Sequence, residues 1–298
     1  TFLFLYNICT GVFTALGDSR TPLYFLIASS LANIVMDVVF VVCFHMGVGG
    51  VAWATFLCQG VASVLAAWTL FRRLRGVPAP ERHPLFSWRM LGRIARIAVP
   101  SILQQSFISV GNLFIQSLVN SFGSAVVAGY SAAVKLNTFA LTGFTTLGNG
   151  LSSFTAQNIG AGRPERVKQG FRAGAGMTLC VAVPFIAAFV FAGPQMVRLF
   201  LSAPSADALA QGTLFLNIVA PFYVLISLKL AADGVLRGAG CMGQFMTATF
   251  TDLILRVILA FLLAPRFGAA GIWMSWPLGW AVAAALSLGF YFTGGWRK

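Results

Sequence analysis

The chain has 298 residues, 58% of them hydrophobic and only 9% charged, with a mean hydropathy of +0.85. A soluble domain carries roughly 25% charged residues, so this composition excludes one. The formal net charge of +13 does not point to nucleic acid, because fifteen of the twenty Lys and Arg fall in alternate connecting loops and the C-terminal tail, the positive-inside pattern of a polytopic membrane protein.

From Phe2 to about Leu16 the sequence reads as the tail of a membrane span, so the chain is expected to begin within a helix. Gly17-Asp18-Ser19-Arg20-Thr21-Pro22 forms a tight polar turn, with Pro22 placed to open the next helix. Complete spans are predicted over 22–46, 50–71, 95–119, 125–157, 168–192, 208–236, 242–264 and 268–293. The basic loops lie around Arg20, Arg72 to Arg96, Arg163 to Arg172, Arg237 and the tail Arg297-Lys298, whereas the opposite side holds only Arg198 and Arg266. This alternation predicts a cytoplasmic C-terminus. The stretch 72–94, which is rich in arginine, proline and aromatic residues, reads as an inter-lobe linker. It is expected to lie on the anionic inner leaflet, partly as an amphipathic helix.

Two stretches recur in order. Gly11-Val12-Phe13-Thr14-Ala15-Leu16-Gly17-Asp18 is echoed by Gly234-Val235-Leu236-Arg237-Gly238-Ala239-Gly240-Cys241, 223 residues later. Gly50-Val51-Ala52-Trp53 is echoed by Gly271-Ile272-Trp273-Met274, 221 residues later. Co-linear echoes of this kind suggest two like-designed bundles, the plan of alternating-access transporters. The predicted domains are 1–71, the remnant of a first bundle; 72–94, the linker; and 95–298, a complete second bundle of six helices. The repeat also leads to the expectation that about 130 further residues precede Thr1, enough for three spans and the front of a fourth.

Intramembrane charges cost about 2.5–3.5 kcal/mol even on lenient scales, so each one asks for a reason. Asn33 and Asp37 are one turn apart on the span 22–46, and the next span carries Thr55 and Gln59. A carboxylate, an amide oxygen and a hydroxyl from neighbouring helices make an oxygen-rich cation or proton site; the alternative is a protonated acid acting as interhelical glue. Asp252 and Arg256 are spaced i, i+4, as are Lys229 and Asp233. Both are read first as structural ion pairs, with proton coupling second. Lys229 is expected to snorkel toward the cytoplasmic interface, with Asp233 pairing to it or to Arg237. Lys135 and Asn137, ten residues or so into the span 125–157, are candidate cavity residues. So are Gln104 and Gln105 after Pro100, with Asn112 and Gln116 further along.

The five cysteines (Cys9, Cys43, Cys58, Cys180 and Cys241) stand singly, and no CxxC or Cys/His cluster occurs, so no disulfide framework or metal site is indicated. Enzyme signatures such as HExxH and GxSxG are absent, and His45 and His83 are isolated. No organic cofactor, no enzyme activity and no metal beyond a Na⁺ at Asp37 are therefore expected.

The chain resembles the multidrug and toxic compound extrusion (MATE) family of efflux antiporters. The resemblance rests on Gln157-Asn158-Ile159-Gly160-Ala161-Gly162, on Leu236-Arg237-Gly238-Ala239-Gly240 with its counterpart Ala15-Leu16-Gly17-Asp18, and on Asn33-x-x-x-Asp37 with Thr55. It implies an all-α polytopic membrane protein of two six-helix bundles related by pseudo-twofold symmetry, the first incomplete here. The resemblance also implies a multi-pass protein of the bacterial inner membrane, monomeric, working on small molecules. Na⁺ or H⁺ binding at Asp37, Asn33 and Thr55 would drive export of an organic, often cationic, substrate. Two departures stand out. The acidic partner on the family's first helix would precede Thr1, and the carboxylate that some members carry on the seventh helix is absent, with Gln104 and Gln105 the nearest polar residues. Two alternatives remain open at this point: a lipid-linked oligosaccharide flippase of the same superfamily, and a truncated, inactive membrane fragment.

Overall fold

A computed structural model describes residues 1–76, 86–201 and 205–297. The chain forms two compact units, Thr1–Phe86 and Ser87–Lys298. Of the expected linker 72–94, residues 77–85 lie outside the described residues, while 72–74 end the helix Gly47–Leu74 and 88–94 open the helix Trp88–Asn120.

The first unit holds α1 (Phe2–Ala15), α2 (Arg20–Val38), which continues as a π-helical turn over Val39–Cys43, and α3 (Gly47–Leu74). Its core is a narrow seam in which Tyr6, Cys9 and Phe13 of α1 meet Ala62, Ala66 and Leu70 of α3. Small residues on α3 let the bulky face of α1 approach closely, the usual solution where lipid supplies no hydrophobic drive. The Tyr6 hydroxyl donates to the Pro22 carbonyl at 3.0 Å, which ties α1 to the start of α2.

The second unit begins with α4 (Trp88–Asn120) and α5 (Ser124–Gly160) and continues through α6 (Pro164–Phe191) and the short α7 (Gly193–Leu199). The expected span 208–236 is broken. Pro221 cannot donate a helical hydrogen bond, and the chain passes from α8 (Ala206–Val219) through a 3₁₀ turn (Ala220–Phe222) into α9 (Tyr223–Gly238). Then follow α10 (Met242–Phe267) and α11 (Ala269–Phe292). The core of this unit is aromatic, with Phe144, Phe189, Phe215, Tyr223, Trp273 and Trp280 packed together.

Among the described residues, seven helices, with α8 and α9 counted as one, are long and apolar enough to cross a membrane. The exception is α5: it has 37 residues, but Ser, Thr and Asn dilute its apolar content. It packs against α6, α8 and α9, so protein covers one side of it. Gly148 and Gly234 make that packing possible, since a Cβ built on Gly234 would lie 2.4 Å from the Gly148 carbonyl oxygen.

The internal repeat is visible in the backbone. Gly17 and Gly240 both adopt left-handed φ, +80° and +76°, and both close the same helix-ending motif. The Asp18 N–H donates to the Phe13 carbonyl at 2.9 Å, and the Cys241 N–H donates to the Leu236 carbonyl at 2.8 Å. The hairpins that follow also match. Gly47 and Gly268 open the second helix of each with φ of +55° and +59°; three residues on, a Cβ built on Gly50 would meet Phe40 and one on Gly271 would meet Leu263.

Candidate functional site

In the first unit, the helical spacing places Asn33 and Asp37 one turn apart on α2, just before the π-helical turn. Both residues are half-buried. The Asp37 Oδ1 and Asn33 Nδ2 atoms are shut off from solvent without a hydrogen-bond partner among the described residues. Thr55 is exposed on α3 and Gln59 is half-buried. Neither Asn33 nor Asp37 hydrogen-bonds to Thr55 among the described residues. The π-turn widens the helix where its polar groups must be satisfied, a feature frequent at functional sites.

Asp18 lies outside the spans, in the turn before α2. Its Oδ1 accepts from the backbone N–H groups of Arg20 and Thr21, each at 3.1 Å, and its Oδ2 accepts from the Thr21 hydroxyl at 2.8 Å. Arg73, near the end of α3, also pairs with Asp18. The Thr21 hydrogen bonds, then the Arg73 charge, hold its carboxyl below the usual aspartate range.

The second unit encloses a cavity of about 390 Å³ within one bundle, a size suited to one small molecule. From α4 come Gln105, Asn112 and Gln116; from α5 come Tyr130, Asn137, Thr138 and Thr145. The far wall is Thr249, Asp252 and Arg256 of α10 with Trp276 and Trp280 of α11. Spacings of 7 and 4 put the three α4 amides on one helical face. Asn137 is fixed in place, since its Oδ1 accepts from the Tyr223 hydroxyl at 2.9 Å.

Asp252 and Arg256 form their ion pair as expected, with Nη2 2.7 Å from Oδ2. They are 5% and 8% exposed, and the guanidinium lies 4.5 Å over the Trp276 ring. Spacing alone assigns this pair to structure; the fold places it on the cavity wall. Asp252 fits because α11 has glycine opposite it: a Cβ on Gly279 would come within 2.5 Å of Oδ1.

The fold places three of the candidate residues more closely. Gln104 is absent from the cavity wall, since adjacent residues on a helix point about 100° apart and it is Gln105 that faces in. Lys135 is also absent from the wall; it stands exposed on the next flank of α5. Lys229 is 4% exposed and forms the expected pair with Asp233 at 2.7 Å rather than snorkelling. Asp233 in turn accepts from the Ser287 hydroxyl of α11 at 2.6 Å, while Arg237 is drawn away to Asn149 of α5. The aromatic lining, Tyr130 with Trp276 and Trp280, escapes the sequence reading. The one available signal is the i, i+4 spacing of the two tryptophans around Pro277.

An all-α polytopic fold with an internal repeat and a polar cavity inside one bundle is a plan that membrane transporters share. The chain belongs to the MatE family: the family model matches residues 100–262, and members of this family are transporters rather than enzymes. Among curated relatives, the "Probable multidrug resistance protein YpnP" of Bacillus subtilis (strain 168) is 31% identical over 297 residues, covering 99% of this chain and 66% of that protein. The "Probable multidrug resistance protein YoeA" of the same organism is 26% identical over 302 residues, covering 97% of this chain and 64% of that protein. A solved outward-facing MATE family multidrug resistance transporter of the MOP superfamily superposes with a TM-score of 0.87 at 22% identity, over 97% of this chain and 65% of that one; at this identity the likeness shows the fold alone. The chain thus spans about two thirds of the length of these relatives.

Proposed function

We propose that this protein works as a cation-coupled efflux transporter of small organic molecules, with Asp37 as the group that takes Na⁺ or H⁺. The observation that carries this reading is the state of Asp37. It is a half-buried acid in a membrane-spanning helix, with one oxygen unpartnered and no ion pair among the described residues. The other two intramembrane acids, Asp233 and Asp252, each hold a base at 2.7 Å. Binding a cation at Asp37 removes the cost of a buried charge, which biases the helices around it toward a second arrangement. Asn33, one turn away, would share the ion, with the Thr55 hydroxyl of α3 as the third oxygen.

Efflux is supported over lipid-linked oligosaccharide flipping by the names of the relatives and by the scarcity of interior cations, which are Lys135, Lys229 and Arg256. The bacterial relatives and the alternation of basic loops support a bacterial inner-membrane location with a cytoplasmic C-terminus. We take the working unit to be a monomer whose partners are its substrate and the bilayer.

The test is Asp37→Asn in vesicles carrying the protein, with an imposed Na⁺ or pH gradient. Gradient-driven export of whichever flat probe the wild type carries, the cation ethidium or the anion anthracene-9-carboxylate, should be lost while the folded yield stays near wild type. Undiminished export by the variant would refute the assignment.

A further inference from the structure

The charges inside the second unit do not all cancel. Asp252 and Arg256 neutralise each other at 2.7 Å, and so do Lys229 and Asp233. Arg198, Arg237 and Arg266 sit in the last turns of their helices, and Arg89, Arg93, Arg96, Arg166, Lys168 and Arg172 in the first three turns of α4 and α6, not in the interior. Lys135 is left. It stands 11 residues into α5, about 16 Å along a helix that rises 1.5 Å per residue, and has no ion-pair partner among the described residues.

Its surroundings are polar and continuous with the cavity. Ser131, Lys135, Thr138, Thr142, Thr146 and Asn149 recur every three or four residues and are all exposed. Such a stripe covers a length of α5 comparable to the hydrocarbon thickness, about 30 Å, and contact with lipid tails along it would be unfavourable. Thr138, one turn from Lys135, belongs both to this stripe and to the cavity wall. Lys135 therefore stands at the rim of a cavity whose own wall is charge-neutral. That wall is built for a ligand: flat rings from Tyr130, Trp276 and Trp280 line it. Thr249, 5% exposed, and Arg256, 8% exposed, also present buried polar atoms without a hydrogen-bond partner among the described residues, as do Trp276 through its indole N–H and Asp252 through Oδ1.

We propose that this cavity takes a small, flat organic anion, with Lys135 at the rim as the counter-charge that sets the sign of the ligand. The aromatic walls hold the ring, the amides of Gln105 and Asn112 orient its polar edge, and the Asp252–Arg256 pair stays closed. This deepens the efflux reading by naming the charge class of the substrate. It departs from the organic cation that the family resemblance implies.

Two tricyclic probes of similar size and opposite charge test the inference: anthracene-9-carboxylate and 9-aminoacridine. Binding to the purified chain in a neutral detergent, where no anionic lipid competes, is followed by quenching of tryptophan fluorescence. The wild type should bind the carboxylate more tightly than the acridine. Lys135→Gln should weaken the carboxylate about tenfold, the effect of losing ~1.4 kcal/mol of charge pairing, and leave the acridine unchanged. Lys135→Glu should reverse the preference. Preference for the acridine in the wild type, binding of neither probe, or the same preference in all three proteins would overturn the proposal. If Lys135→Gln loses the carboxylate only when anionic phospholipid is present, the residue is a lipid anchor and the proposal also fails. Because binding is read without a gradient, a chain that binds the carboxylate but exports nothing refutes the efflux reading alone.

Discussion

The seam between α5 and α9 sets the shape of the C-terminal unit, and Gly234→Ala tests it. The Cβ added at Gly234 would sit 2.4 Å from the Gly148 carbonyl oxygen and 3.2 Å from its carbon. An ordinary C···O contact is about 3.3–3.6 Å, so the overlap is about 1 Å. Both opposing atoms are backbone, and no rotamer change relieves the clash; α5 and α9 must separate. Overpacking of this kind costs about 1–3 kcal/mol, set against a gain of roughly 0.5–1 kcal/mol from replacing glycine with alanine in a helix. Gly150→Ala isolates the two effects. Gly150 lies on α5 with nothing within 4 Å of its Cβ position, so only the gain applies. The clash is graded along the seam: a Cβ on Gly238 would lie 2.2 Å from the Ser152 oxygen, and one on Gly148 would lie 2.8 Å from the Leu230 oxygen. Thermal unfolding in detergent should rank the variants, least stable first, as Gly238→Ala, Gly234→Ala, Gly148→Ala and Gly150→Ala. A Gly234→Ala protein as stable as Gly150→Ala would show that the two helices do not pack as described.

Asp233→Asn should destabilise the protein by about 3–5 kcal/mol, because it leaves the Lys229 ammonium buried without a counter-charge. Replacing both residues with leucine should cost far less, and the same unfolding assay reads both variants. Asp18→Asn tests the turn before α2. The depressed carboxyl contributes stability above the ordinary aspartate value, and that contribution is lost as pH falls through the lowered value. Between about pH 6 and about pH 2, the wild type should lose stability in that acid limb and the variant should show a shallower slope there.

The helices are legible in the sequence because apolar runs of about 20 residues leave few alternatives. The repeat is legible because its glycines are fixed by the backbone, with Gly17 and Gly240 needed in the left-handed region wherever the same turn is made. The i, i+4 charges are legible as pairs because helix geometry alone brings them together. What those pairs face is not. Asp252 reaches the cavity wall through the choice of glycine at position 279 on another helix, and no local pattern on α10 encodes that. The burial of Lys229 is not legible either, because it depends on what surrounds the stem, and here the residue is closed over by its own unit. Pro221 breaks a span that hydropathy reads as continuous, since hydropathy does not register a missing N–H donor.

The two units also treat buried acids differently, which bears on where coupling can reside. A cation arriving at Asp233 or Asp252 must compete with a base already held at 2.7 Å, inside a low-dielectric interior where separating such a pair is unfavourable. A cation arriving at Asp37 displaces no ion-pair partner among the described residues. The repeat makes the contrast sharper. Arg256 lies 223 residues after Asn33, so the position that offers a neutral amide in the first unit carries a fixed positive charge in the second. On the proposed reading, two units that share the same turns would hold opposite electrostatic roles. The proposed division of labour follows from that: the first unit is equipped to gain a cation, and the second to hold its charges still around a cavity.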